Sequence, residues 1–140
     1  MKVLVTYESR GGRTRRGAEA LAAAVRERGQ EATLKPLSDT TAQDVAEHDV
    51  IAVGTWVEGL VVLKVGPAKA ALAGIKRLGS LTGKPVAVFC TYGVNPRNAL
   101  DTMRQALVAQ GANVIAENAS HHLHPERGMA ELAGRICTTS

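Results

Sequence analysis

Aromatic side chains are scarce: Tyr7, Trp56, Phe89 and Tyr92 are the four in 140 residues. A core of Val, Leu, Ile and Ala does not need them, so their placement is informative. Cysteine is limited to Cys90 and Cys137, too few for a disulfide framework. The expectation is a cytoplasmic protein with reduced thiols. No apolar run approaches the roughly 20 residues that cross a bilayer, so no membrane contact is expected. Only Val3, Leu4 and Val5 follow Lys2 before polarity returns, which excludes a signal-peptide core. Charge of one sign is also lacking. Seventeen basic and 13 acidic residues leave +4, too mild an excess to indicate nucleic acid but compatible with an acidic ligand or partner.

Apolar residues make up 45% and charged residues 21% of the chain, as in ordinary globular proteins. The length fits one domain, residues 1–140. Lys2 to Tyr7 reads as a short strand buried on both faces. A polar loop follows, Glu8-Ser9-Arg10-Gly11-Gly12-Arg13-Thr14. The next helix runs to about Arg28, striped by Ala18, Leu21, Ala22 and Val25. Glu31 to Lys35 is a second strand, and Thr40 or Thr41 caps a short helix through Glu47. Val50 to Val53 is a third strand ending at Gly54. Thr55 to Val65 is a valine-rich connection without a clear period. A third helix starts near Pro67, striped by Ala68, Ala71, Leu72 and Ile75.

Pro85 to Cys90 is the fourth strand. The loop Thr91-Tyr92-Gly93-Val94-Asn95 precedes Pro96 and a helix to about Gln110. Ala112 to Ala116 is the fifth strand, Glu117 to Pro125 a polar loop, and the last helix carries Met129, Leu132, Ala133 and Ile136. Strand and helix alternate five times. This predicts an α/β fold with a doubly wound, five-stranded parallel sheet in three α/β/α layers. For the order 2-1-3-4-5, a ligand sits beyond the carboxyl ends of the strands where the order reverses. The loops to inspect therefore follow Tyr7, Val53 and Cys90.

The first of these has the parts of a phosphate cradle. Gly11 and Gly12 allow close backbone approach, the helix N-terminus attracts an anion, Ser9 and Thr14 add hydroxyls, and Arg10 and Arg13 add charge. Ser9-Arg10-Gly11-Gly12-Arg13-Thr14, placed directly after the first strand, resembles the Ser/Thr-x-Thr-Gly-x-Thr phosphate loop of the flavodoxin family. Gly11 stands where that family has a hydroxyl residue, and Arg13 where it has a small polar one. Gly54-Thr55-Trp56 resembles the second flavin loop and Thr91-Tyr92-Gly93 the third. Gly66-Pro67-Ala68-Lys69 resembles the start of the following helix.

The resemblance implies a flavodoxin-like fold that binds FMN without a covalent bond. It places Ser9, Arg10, Gly11, Gly12, Arg13 and Thr14 on the phosphate, with Thr55, Trp56, Val57, Thr91, Tyr92 and Gly93 around the ring. It also implies a peptide that rotates toward the reduced flavin, for which Gly59 is the candidate because glycine tolerates both orientations. Trp56 and Tyr92 are placed to bury a flat, largely apolar ring. The implied activity is electron transfer to a redox partner protein. An FMN-dependent NAD(P)H:quinone-type reductase and a flavodoxin-fold regulatory or ligand-binding module without flavin are the alternatives. Flavodoxin carriers are typically acidic, and this basic chain departs from them.

Other chemistries fit less well. Cys90 and Arg97 are separated by six residues, where a cysteine phosphatase needs five. A phosphorylated receiver would need an acidic pair after the first strand and an Asp after the third. A P-loop would need Gly-Lys-Ser/Thr. No catalytic acid, base or nucleophile stands out. His121, His122 and His124 lack a completing cysteine, and adjacent histidines on an extended chain point apart, so no metal site is expected. They read as a solvated loop, or as a rim of the flavin site. Arg13, Arg15, Arg16, Arg26 and Arg28, with Glu19 and Glu27 between them, read as a solvated face or as a dock for an acidic partner.

Overall fold

A computed structural model describes residues 1–60, 63–67, 69–93 and 99–138. Strand β1 (Lys2–Tyr7) pairs in parallel with β2 (Glu31–Pro36) on one side and β3 (Val50–Leu60) on the other. Beyond β3 lie β5 (Pro85–Tyr92) and β6 (Asn113–His121), both parallel to it. The sheet order is β2-β1-β3-β5-β6. For the five parallel strands this is the expected 2-1-3-4-5.

Side chains alternate across a strand, and the alternation separates two cores. Val3, Val5, Ala52 and Phe89 pack with Leu21 and Val25 of α1 (Arg13–Glu27) and Leu132 and Ile136 of α5 (Met129–Cys137). Leu4, Ile51, Val53 and Val88 pack on the other face. There they meet Ile75 of α3 (Lys69–Arg77) and Met103 and Leu107 of α4 (Ala99–Ala109). Full burial of such a side chain contributes about 1.5–3 kcal/mol, so both helical layers are anchored. Helix α2 (Ala42–Glu47) starts at Thr41, whose hydroxyl accepts from the Asp44 amide while Asp44 accepts from the Thr41 amide. A short 3-10 turn, Leu37–Asp39, precedes it.

The structure corrects several boundaries. Strand β3 does not stop at Gly54 but continues to Leu60, and β4 (Leu63–Pro67) returns antiparallel beside it. The supposed connection is thus largely a hairpin. Gly66 and Pro67 belong to β4, where Pro67 pairs with Val57, and helix α3 begins at Lys69. Thr91 and Tyr92 end β5 rather than opening a loop. Glu117 to His121 extend β6 rather than forming a loop. Ala68, Val94, Asn95, Pro96 and Arg97 lie outside the described residues.

One packing detail bears on the site. Gly17 of α1 is buried, and a Cβ there would stand 2.9 Å from the Pro125 carbonyl oxygen. The turn after β6 therefore rests against α1, and Ser120 donates to that same carbonyl at 3.0 Å.

Candidate functional site

The turn between β1 and α1 is shaped by two consecutive left-handed glycines, Gly11 at φ +74° and Gly12 at φ +83°. Open space surrounds both Cβ positions, so backbone conformation rather than crowding calls for glycine. Gly12 occupies the N-cap of α1 and offers no side-chain cap. Ser9 partly replaces one, its hydroxyl accepting from the Arg15 amide at 3.2 Å. The amides of Arg13 and Thr14 stand in the first turn, where no intrahelical carbonyl reaches. The turn is tied to the sheet by the Glu8 amide, which donates to the Gly54 carbonyl at 2.9 Å.

Beneath this turn, the hydroxyls of Thr14 and Thr91 are hydrogen-bonded at 2.8 Å, and both residues are buried. Two hydroxyl hydrogens share one mutual bond, so one hydrogen remains for a further acceptor. Thr55, next to Trp56 in β3, is buried and donates to the Trp56 carbonyl at 3.2 Å. Gly54 lets the Phe89 ring pass: an added Cβ would fall 2.0 Å from it.

The carboxyl ends of the strands lie in register. Trp56 of β3 faces Thr91 of β5, and Tyr92 faces His121 of β6. Together with the glycine turn they enclose a cavity of about 480 Å³, within the range of small-molecule sites. Arg10, Gly11 and Arg13 line it from the turn, Trp56 and Val57 from β3, and Thr91, Tyr92 and Gly93 from β5. Trp56 and Tyr92 are half-buried, leaving ring surface available. Trp56 also packs on the core shared with α3 and α4, so it anchors its strand as well as lining the cavity.

The remaining expected residues lie around the cavity. Ser9 and Gly12 border a neighbouring cleft of about 320 Å³ with Glu8 and Arg15. Thr14 and Thr55 are fully buried, Thr14 bonded to Thr91 of the lining and Thr55 preceding Trp56. Gly59 sits in β3 where the pairing with β4 shifts register between Glu58 and Leu60. One lining residue stands outside the expected ring and phosphate contacts: His122. Its backbone amide donates to the Tyr92 carbonyl at 2.7 Å. Its ring lies so close to Gly93 that a Cβ there would be 3.1 Å from Nδ1. The sequence holds a signal for it, three histidines after the last strand. Ending that strand at Ala116 leaves them open between a solvated loop and the rim of the site, and the extension of β6 to His121 puts His122 on the rim.

The electrostatics of the rim are cationic. Partial desolvation, the Arg13 guanidinium and His121 hold the His122 imidazole below its ordinary value. Behind the wall, burial and then Glu117 push the Cys90 thiol up to about 12. Cys90 therefore stays protonated and is no nucleophile. Among the described residues no group of metal ligands gathers. The arrangement can hold an anion at the glycine turn and bury a flat ring beside Trp56 and Tyr92.

Residues 4–124 match the sequence profile of the flavodoxin domain. No curated protein matches the sequence. The fold is shared with the two-electron reduced flavodoxin of Megasphaera elsdenii, at TM-score 0.86 and 26% identity, covering 98% of this chain and 99% of that one. It is shared with oxidised flavodoxin 1 of Bacillus cereus, at TM-score 0.80 and 20% identity, with both chains fully covered. A flavodoxin of Streptococcus pneumoniae aligns at TM-score 0.80 and 18% identity over 98% of both chains.

Proposed function

This chain belongs to the flavodoxin domain family, and on that premise we propose that it is a single-domain, cytoplasmic electron carrier that passes electrons to and from a redox partner protein. Its cofactor is FMN, which supplies the redox chemistry when bound. The observation that carries the reading is the joining, in one cavity, of a glycine turn bearing Arg10 and Arg13 with the half-buried rings of Trp56 and Tyr92.

The turn's first-helix amides, the Ser9 hydroxyl and the spare hydrogen of the Thr14–Thr91 pair act as donors to the phosphate. Arg13 supplies charge where Gly11 lacks a hydroxyl. Trp56, Val57 and Tyr92 remove water from the ring and leave one edge for electron exchange. Thr55 steadies β3 beside the ring through its bond to the Trp56 carbonyl, and Gly93 leaves room at the rim. Gly59, in a strand with an irregular register, is the peptide proposed to reorient when the flavin is reduced. Free Cys90 and Cys137 suit a reducing compartment. The Arg10 and Arg13 rim and the net charge of +4 favour an acidic partner.

Trp56 is the single tryptophan, so its fluorescence reports on the cavity. Titration with FMN is expected to quench it to a plateau at one FMN per chain, and the complex is expected to stay yellow through gel filtration. Absence of both would overturn the reading. Steady NAD(P)H-driven reduction of quinones by the isolated holoprotein would replace the carrier with a reductase. Electron transfer to an acidic partner is expected to slow as salt is raised.

A further inference from the structure

Among the residues that line the cavity, one carries an imidazole and has no place in the family's flavin loops: His122. We propose that His122 is a proton acceptor coupled to the reduction of bound flavin, taking up a proton when electrons enter the ring and releasing it when they leave. The inference rests on the FMN reading above and goes beyond it.

The geometry places the imidazole in the site. His122 is fixed at the end of β6 by its amide bond to the Tyr92 carbonyl at 2.7 Å, and its Nδ1 edge lies over Gly93. The surrounding groups are mostly positive or neutral. Arg13 faces it from α1, and Arg10 lines the same cavity. The ring of His121 lies 4.5 Å away and contacts Tyr92 edge-on. His124 stands further along the turn, with Glu126 at 4.0 Å from it. No carboxylate pairs with His122 among the described residues. Partial desolvation and then the Arg13 guanidinium therefore favour the neutral ring before reduction. Electrons arriving in the cavity reverse that balance, because added negative charge close by favours the imidazolium.

The step balances simply. Two electrons come from the redox partner. One proton from water goes to the flavin, whose reduced ring keeps one negative charge, and a second proton from water goes to His122. Reoxidation returns both electrons and both protons.

The test uses FMN-loaded protein. Imidazole resonances are followed by NMR against pH in the oxidised and the dithionite-reduced states, the His122 signal being assigned by its loss in His122→Gln. The expected result is a rise of at least tenfold in the proton affinity of His122 on reduction. In parallel, the protons bound per two electrons, read from the pH dependence of the midpoint potential, are expected to rise toward two in the wild type and remain near one in His122→Gln. An unchanged His122 titration overturns the proposal, as does a variant that still takes up the second proton, which would then belong to the ring. If either protein holds FMN, the flavin reading survives that failure. If the wild type binds no FMN, both readings fall.

Discussion

The two sides of the cavity are built from different material. The turn after β1 is a backbone device: two left-handed glycines, first-turn amides of α1 and a buried hydroxyl pair. The wall formed by β3 and β5 is a side-chain device. Trp56 and Val57 stand within β3 and Tyr92 at the end of β5, in a register set by the sheet, and they remain half-buried. In the proposed reading, the turn offers fixed donors to a charge and the wall offers area to a flat apolar shape. Comparing FMN with riboflavin, which lacks the phosphate, separates the two contributions.

The largest effect is expected on the wall. Trp56→Ala removes a large stacking surface worth about 2 kcal/mol. Titration should show affinity falling about thirtyfold, equally for FMN and riboflavin. A loss confined to FMN would erase the distinction between the two sides. Gly12→Ala comes next. Its Cβ meets nothing within 4 Å, so the cost is conformational, roughly 1–2 kcal/mol. Equilibrium titration should show about a tenfold loss for FMN and little for riboflavin. Tyr92→Ala should weaken both ligands about fivefold, since its ring is shared with His121 and contributes about 1 kcal/mol.

The smallest effect at neutral pH lies beneath the wall. The folded thiol of Cys90 titrates at about 12 against an ordinary 9.0. The unfolded chain loses that proton first as pH rises, so stability should decline above about pH 9 and be indifferent to this group below it. Denaturant melts from pH 7 to 10 on wild type and Cys90→Ala would show it. At pH 8, an alkylating reagent should label half-buried Cys137 and spare Cys90 until the chain is unfolded.

The backbone side was the more legible in the sequence. A glycine pair between a buried apolar run and an amphipathic stripe has few structural solutions, and Gly11 and Gly12 adopted one of them. The β/α alternation likewise implied a doubly wound parallel sheet, while its order came with the family resemblance and matches the observed β2-β1-β3-β5-β6. The wall was less legible. Trp56 and Tyr92 were placed by their position after apolar runs, yet the strands carrying them extend further than the apolar residues do. Strand β6 is a sheet edge with one partner, so Glu117, Asn118 and His121 are tolerated there and read as loop. The β3–β4 hairpin escaped detection because valines recur without a clean period of two. Proline at a strand end, pairing Pro67 with Val57, imitates a helix start.

The notch at Gly17 gives the molecule a bearing surface. One helical turn beyond Arg13 on the same helix, it seats the Pro125 carbonyl and so supports the segment that carries His122. Arg13 and the His122 imidazole, on separate elements, thus share one support. Any larger residue at position 17 would jack that segment outward, spread the mouth of the cavity and let more water reach whatever lies inside.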